Sequence, residues 1–151
     1  GGRLSDEQRK LREWYGRLLH AVRQPAFERG EFYGLNHSNK EYPAFGRLDG
    51  ETVSGHWLYA FLRHDAASGQ SYLVVANFHP EQTLRGVTVR IPDHARKFLG
   101  RTAATAWTLT DKLAAGDWSG FAGAETLESR GLALPDLPPC SALLLEISGG
   151  R

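Results

Sequence analysis

The side chains that could act as a nucleophile or hold a metal ion are one cysteine and six histidines in a chain of 151 residues. Cys140 stands at the start of an apolar run, without the neighbouring base that activates a thiol. The histidines include no pair at the i, i+2 or i, i+4 spacing that places two ligands on one face. His56, His64 and His79 come nearest to a cluster. The first two flank one predicted strand, and they could meet His79 across the predicted hairpin. The sequence predicts no metal site, no cofactor and no cysteine nucleophile.

Carboxylates could perform acid–base hydrolysis if two of them faced one cleft. Cleavage of a glycosidic bond, for example, needs two carboxyl groups about 5 to 10 Å apart. The acidic residues of this chain stand instead at a helix start, in turns or in surface positions, and only Glu146 lies inside an apolar strand. Its alternation with Leu145 and Ile147 predicts that it faces outward. We therefore predict no catalytic residue in this chain.

Aromatic side chains could bind a sugar by stacking on its ring. The glycine-rich segment 113–123 is predicted to be a loop, and it carries Trp118 and Phe121. Loops on a rigid scaffold often carry binding groups, so these two residues are the candidates for carbohydrate binding. The competing interpretation, which we favour, is that the loop folds back and buries both rings.

Composition excludes several classes of function. The net charge of +1 provides no field for binding nucleic acid, and no apolar run is long enough to span a membrane. A single cysteine cannot form a disulfide within the chain, so it does not indicate the redox compartment and the localisation stays unknown. The chain is too short for a (β/α)8 barrel, which needs about 250 residues. It contains no Met and begins Gly1-Gly2, which predicts a piece of a longer protein.

Two kinds of element must position these residues. Apolar side chains spaced three and four apart predict an amphipathic helix over 6–23, started by a capping box between Ser5 and Gln8 and ended before Pro25. The rest of the chain consists of short apolar or alternating runs separated by turn residues. This pattern predicts the strands of an antiparallel sandwich. Runs 57–63 and 72–78 are predicted to form a central hairpin, with Trp57, Tyr59 and Phe61 in the core. The other predicted strands are 31–35, 87–91, 102–110, 132–134 and 142–147.

Three sequence blocks together resemble one family. They are the helix and its continuation LREWYGRLLHAVRQPAFERGEF (11–32), the pair LYAFLR (58–63) and LVVANF (73–78), and the ending PPCSALLLEI (138–147). In this order they are similar to the last barrel helix and the C-terminal domain of α-amylase family glycoside hydrolases (family 13). The resemblance covers nearly the whole chain.

The resemblance implies a fold that is mainly β, an antiparallel Greek-key β-sandwich preceded by one N-terminal amphipathic α-helix. Residues 1–24 would be the helix at the end of a missing catalytic barrel, and 25–151 the C-terminal all-β sandwich domain. The implied function is a non-catalytic domain of an enzyme that acts on α-glucans, stabilising the barrel and assisting substrate binding. The catalytic carboxylates of that family lie in the barrel, so none is carried over to this chain.

The predicted helix also needs a partner for its apolar stripe of Leu11, Trp14, Leu18 and Val22. The partner would be the barrel of the same protein, the sandwich itself, or a second copy in a homodimer. Two other functions stay open: a module that binds α-glucan through Trp118 and Phe121, and an unrelated β-sandwich interaction domain.

Overall fold

The first element of the fold is the long helix α1, Asp6–Val22. A computed structural model describes residues 5–114 and 119–151. The backbone N–H of Gln8 donates to the Ser5 hydroxyl at 3.2 Å, and the Ser5 N–H donates to the Gln8 side chain at 2.9 Å. Pro25 begins the next helix. Helical backbone angles are disfavoured for the residue that precedes a proline, so α1 ends before Pro25. The predicted helix and its capping box are therefore confirmed.

Within residues 5–114 and 119–151, four short helices follow α1, and each has only four to six residues. The sequence predicts no second helix of the quality of α1, because segments this short cannot show a period of 3.6 residues over several turns. These helices are α2 (Pro25–Glu28), α3 (Asn36–Asn39), α4 (Asp93–Phe98) and α5 (Ala124–Ser129).

In the part of the chain that the structure describes, eight strands form two antiparallel sheets. The large sheet has the order β1-β2-β3-β8-β5-β6, and β4 pairs with β7 in the small sheet. The predicted central hairpin is confirmed, since β2 and β3 pair over their full length and both lie inside the large sheet. The strands are β1 (Glu31–Gly34), β2 (Leu58–His64), β3 (Ser71–Asn77), β4 (Thr88–Val89), β5 (Trp107–Asp111), β6 (Ser119–Ala122), β7 (Leu132–Ala133) and β8 (Ser141–Gly149).

The main core lies between the large sheet and a second layer made by the small sheet, α4, α5 and the segments around them. Strand β8 returns between β3 and β5, which is the crossover that a Greek key requires. Inward residues of β2, β3, β5 and β8 meet residues of the second layer such as Val89, Leu99, Leu127 and Leu132. The fold is thus mainly β, an antiparallel sandwich preceded by one amphipathic helix, as predicted.

A second core lies on the opposite face of the large sheet, where α1 packs across β3 and β8. Trp14, Leu18 and Ala21 of the helix meet Val74 and Leu144 of the two strands. Successive strand residues point to opposite faces of the sheet. Leu73 and Leu145 therefore pack in the main core, while their neighbours Val74 and Leu144 pack in this second core. Part of the stripe predicted on the helix therefore packs onto the sandwich.

The sequence-based prediction for the aromatic residues of 57–61 is wrong in part. Tyr59 is 39% exposed, Phe61 is half-buried, and Trp57 is half-buried and precedes β2. Tyr59 and Phe61 point to the face that carries α1, and the helix covers β3 and β8 more fully than β2. Their burial thus depends on where the helix lies, which the pattern of one strand cannot indicate.

The segment 113–123 is not a loop throughout, because β6 occupies Ser119–Ala122. Its backbone pairs with β5, which would otherwise be an unprotected edge of the sheet. The prediction of strand 87–91 also needs correction, since only Thr88–Val89 is a strand. Its alternation is nevertheless confirmed, with Val87, Val89 and Ile91 all buried.

Candidate functional site

The two loop aromatics predicted to bind carbohydrate are only partly covered by the structure. Trp118 lies outside the described residues. The backbone of Phe121 belongs to β6 and pairs with Thr108, but its side chain also lies outside what the structure describes. Both residues stay predictions, and the described part of the chain offers two other candidate surfaces, one on each flank of α1.

The apolar side of α1 is divided into a packed half and an exposed half. Trp14, Leu18 and Ala21 pack on the sheet. The remaining apolar side chains stay largely accessible, at 56% for Leu11, 52% for Tyr15, 55% for Leu19 and 41% for Val22. Of the four residues predicted to form an interface, two thus contact the sheet and two, Leu11 and Val22, face solvent.

The exposed half projects from the flank of α1 that faces away from β5. Arg17 marks the other flank, because its Nε donates to the carbonyl oxygen of Leu113, just after β5, at 2.8 Å. With 3.6 residues per turn, Tyr15 lies about 200° around the helix from Arg17. The exposed apolar side chains therefore lie on the side of β2 and β1.

The sheet is also aromatic and accessible on that side. Phe32 of β1 is 50% exposed, and its ring lies 5.1 Å from the ring of Phe61 on β2. The rings of Phe61 and Tyr59 are 5.5 Å apart. We call the whole surface the open apolar face, made of Leu11, Tyr15, Leu19 and Val22 on α1 with Phe32, Tyr59 and Phe61 on the sheet. Accessible apolar side chains in this number usually mark an interaction site.

The opposite flank of α1 borders a cavity of about 420 Å³, here called the flank cavity. Tyr72 of β3 and Glu146 of β8 line the sheet side, together with Lys112 just after β5. The outward-facing Glu146 of the sequence prediction thus points to the helix side of the sheet, where it lines a cavity. Sequence analysis missed this site, because its wall combines residues that are far apart in the chain. On the helix side the lining residues are Glu13, Gly16, Arg17, His20 and Ala21.

Charges around the flank cavity are partly paired. The Lys112 ammonium lies 3.4 Å from a carboxylate oxygen of Glu146. Burial, together with the charge of Glu146 and a hydrogen bond to it, raises the pKa of Tyr72 well above its usual range. The Tyr72 hydroxyl therefore keeps its proton at physiological pH, and it can both donate and accept a hydrogen bond.

The structure brings some of the nucleophile and ligand candidates of the sequence together: His56 and His79 both lie against the ring of Trp57, and Cys140 lies beside the backbone of His79. Cys140 is exposed in the turn before β8, and Trp57 stacks on His56 with ring centroids 4.7 Å apart. Across residues 5–114 and 119–151 no cluster of three or more His, Cys, Asp or Glu side chains could hold a metal ion. Within the same residues, no helix is both long and apolar enough to cross a membrane.

Comparison with known proteins adds no relative to this picture. No protein-family model matches the sequence. A search of curated proteins gave no significant match either. The two flanks of α1 and the resemblance of the three sequence blocks are therefore the features that bear on function.

Proposed function

We propose that this chain is the non-catalytic C-terminal domain of an α-amylase family glycoside hydrolase acting on α-glucans. The helix α1 would be the last helix of the catalytic barrel, and the sandwich would stabilise that barrel. The observation that carries the proposal is the open apolar face: α1 packs on its own sheet with only half of its apolar side. The other half is available to a larger partner.

The geometry of α1 suits a helix shared by two bodies. Trp14, Leu18 and Ala21 attach it to the sandwich, so the sandwich would keep a fixed orientation to whatever covers the other side. Full burial of a Leu or Val side chain contributes about 1.5 to 3 kcal/mol, so covering four half-exposed side chains would contribute several kcal/mol. Phe32 and Tyr59 would extend the contact onto the sheet.

The first test is to read the gene upstream of Gly1. The proposal requires that the sequence there encodes a (β/α)8 barrel carrying the catalytic carboxylates. A gene that lacks such a barrel would overturn it.

The second test uses the longer protein. Leu19→Lys introduces a charge into the open apolar face, so it should lower the melting temperature of the longer protein and reduce α-glucan hydrolysis at elevated temperature. In the isolated chain, at a concentration where it is monomeric, the same substitution should leave the melting temperature nearly unchanged, since Leu19 is exposed there. His20→Lys, which adds a charge at an exposed position on the other flank of the same helix, is the matched control. Equal melting temperatures for Leu19→Lys and wild type in the longer protein would contradict the proposed contact.

A further inference from the structure

Another cavity lies at one end of the large sheet, and we call it the turn cavity because the turn between β2 and β3 forms part of its wall. The rest of the wall comes from the junction of α1 and α2, from the segment after α4 and from the end of β8. Its volume of about 620 Å³ lies within the range of roughly 300 to 1,000 Å³ that is typical of small-molecule sites. Two arginines, Arg101 and Arg151, line it together, and we call them the arginine pair.

Arg101 provides a buried positive charge in this wall, since it is only 3% exposed. Its guanidinium donates to the carbonyl oxygens of Gly69, at 3.1 Å, and Gly149. It also donates to the hydroxyl of Ser71 at 3.4 Å. All three acceptors are neutral groups, so none of them is a counter-charge. Among the described residues these bonds use three of the five N–H groups of the guanidinium, which leaves two for a ligand.

Arg151 brings a second positive charge to the same carbonyl oxygen. Its Nη2 group also donates to Gly69, so two guanidinium groups lie within hydrogen-bonding distance of one oxygen atom. Burial, together with the charge of Arg151, lowers the pKa of Arg101. Over residues 5–114 and 119–151, no Asp or Glu carboxylate lies within 4.0 Å of either guanidinium. In that part of the chain the arginine pair therefore has no anion.

Acidic side chains around the turn cavity are held by other cations. Glu146 lines the cavity, but its carboxylate lies 3.4 Å from the ammonium of Lys112. Asp65 precedes the turn between β2 and β3, and its carboxylate accepts from Arg29 at 3.2 Å. The arginine pair thus gives this end of the sheet an excess of positive charge that a bound anion would neutralise.

His64 lies within the field of the arginine pair. Burial and then the charges of the pair lower the pKa of His64, while Asp65 and Glu31 act in the opposite direction. The His64 ring is 2.8 Å from the hydroxyl of Ser71, the same hydroxyl that accepts from the arginine pair. An anion held by the pair would oppose its positive charges, so it would raise the pKa of His64.

The charge and shape of the arginine pair select the class of anion. The pair carries two positive charges, and a phosphate group carries about 1.5 to 2 negative charges at neutral pH, whereas a carboxylate carries one. Each planar guanidinium can donate two parallel hydrogen bonds to phosphate oxygens. We propose that the turn cavity binds a phosphate group between Arg101 and Arg151. Arg151 is exposed, so the group can reach the pair from solvent.

The phosphate site is independent of the proposed contact with a barrel. None of the residues that form the open apolar face lines the turn cavity. A failure of either proposal would therefore leave the other one standing.

The test is a titration of the ¹⁵N-labelled chain with inorganic phosphate and with glycerol 3-phosphate at constant ionic strength, followed by amide chemical shifts. Saturable shifts at Gly69, Thr105 and Gly149 are expected, with a dissociation constant of about 1 mM or below. Tighter binding of glycerol 3-phosphate would support a phosphomonoester as the ligand, and equal or weaker binding would support the free ion. The absence of saturable shifts, shifts confined to another surface, or equally tight binding of acetate would overturn the proposal.

A second readout is the pKa of His64, measured from the proton shifts of its imidazole ring. It should rise when the chain is saturated with phosphate, because the bound anion opposes the charges of the arginine pair. Arginines that only hold the turn in place would not produce this change. An unchanged pKa of His64 at saturating phosphate would also overturn the proposal.

Variants of Arg151 distinguish the turn cavity from the rest of the surface. Arg151→Gln removes one guanidinium at an exposed position, so the chain should fold and its affinity for phosphate should fall at least tenfold. Arg151→Lys keeps the charge without the planar donor group, so its affinity should lie between those of wild type and Arg151→Gln. Arg12→Gln, exposed on α1, makes the same change of charge and should leave the affinity unchanged. Equal affinities for wild type and Arg151→Gln, or equal losses in Arg151→Gln and Arg12→Gln, would contradict the site.

Discussion

Buried amide side chains connect parts of this chain that are far apart in the sequence. The Nδ2 group of Asn77, at the end of β3, donates to the carbonyl oxygens of Leu137 at 2.9 Å and Pro138 at 3.0 Å. Asn39 is fully buried, and it donates to the carbonyl of Arg90 and accepts from the N–H of the same residue. Asn39 thus satisfies both backbone groups of Arg90, and Asn77 ties the end of β3 to the segment before β8. Buried amide groups are costly when they stay unpaired.

Replacing Asn77 by Asp should be strongly destabilising. A carboxylate cannot donate to the carbonyl groups of Leu137 and Pro138, and it would be buried beside their negative ends. We expect the free energy of unfolding, measured with urea, to fall by about 2 to 4 kcal/mol. The control is Gln82→Glu, which makes the same change of an amide to a carboxylate on an exposed side chain. A similar loss of unfolding free energy in both variants would show that the buried contacts of Asn77 contribute little to stability.

Asp65 should make the stability of the fold sensitive to acid. Hydrogen bonds from the Ser68 hydroxyl at 2.5 Å and from Arg29 at 3.2 Å hold the pKa of Asp65 well below its usual value of 3.8. The unfolded chain therefore binds a proton at a higher pH than the folded chain does. The stabilisation is complete above the unfolded pKa and is lost as the pH falls below it.

The test compares urea unfolding near neutral pH and near pH 3 for wild type and Asp65→Asn. The wild type should lose stability on acidification, and Asp65→Asn should lose clearly less because its side chain cannot take up the proton. Asp136→Asn breaks the exposed pair with Arg85, so it should change stability by less than about 1 kcal/mol at neutral pH. Parallel acid profiles of wild type and Asp65→Asn would contradict the role assigned to Asp65.

At the scale of elements, the sequence predicts the helices and strands that are specified by a local pattern of residues. The period of the apolar residues and the Ser5 cap predict α1, and dense apolar runs predict β2 and β3 as central strands. The exposure of Tyr59 and the flank cavity depend instead on where α1 crosses the large sheet. That placement follows from contacts between Trp14, Leu18 and residues more than 50 positions away, which no local pattern contains. The predicted sandwich is therefore confirmed, whereas the candidate site became visible only in three dimensions.

Two adjacent leucines of α1 should respond differently to truncation. Leu18 packs in the second core, and Leu19 is 55% exposed. We expect Leu18→Ala to lower the free energy of unfolding of the isolated chain by about 1 to 3 kcal/mol, as is usual for partly buried leucine. Leu19→Ala should change it by less than about 0.5 kcal/mol. Urea unfolding measures both, and a larger loss for Leu19→Ala would mean that α1 is rotated from the orientation described.

At the scale of the whole molecule, the open apolar face should drive association of the isolated chain. Without a barrel, a second copy is the available partner for Leu11 and Leu19, and we expect a concentration-dependent dimer in sedimentation experiments. Combining Leu11→Lys and Leu19→Lys should give a monomer, because four lysines would then meet at a symmetric contact.

The control for this association is Glu7→Lys, which adds the same two units of positive charge and leaves the open apolar face intact. It should sediment like the wild type. A wild-type chain that stays monomeric, with Trp14 fluorescence freely accessible to a quencher, would contradict both the association and the packing of α1.

The position of β8 in the strand order has a consequence for synthesis on the ribosome. The growing polypeptide can form the β2–β3 hairpin and the β5–β6 hairpin as soon as each has left the exit tunnel. These two halves have no strand in common until β8 is made and enters between β3 and β5. The nascent chain must therefore keep two open sheet edges protected until β8 has been made. A premature stop codon before Ser141 would leave the two halves permanently unjoined.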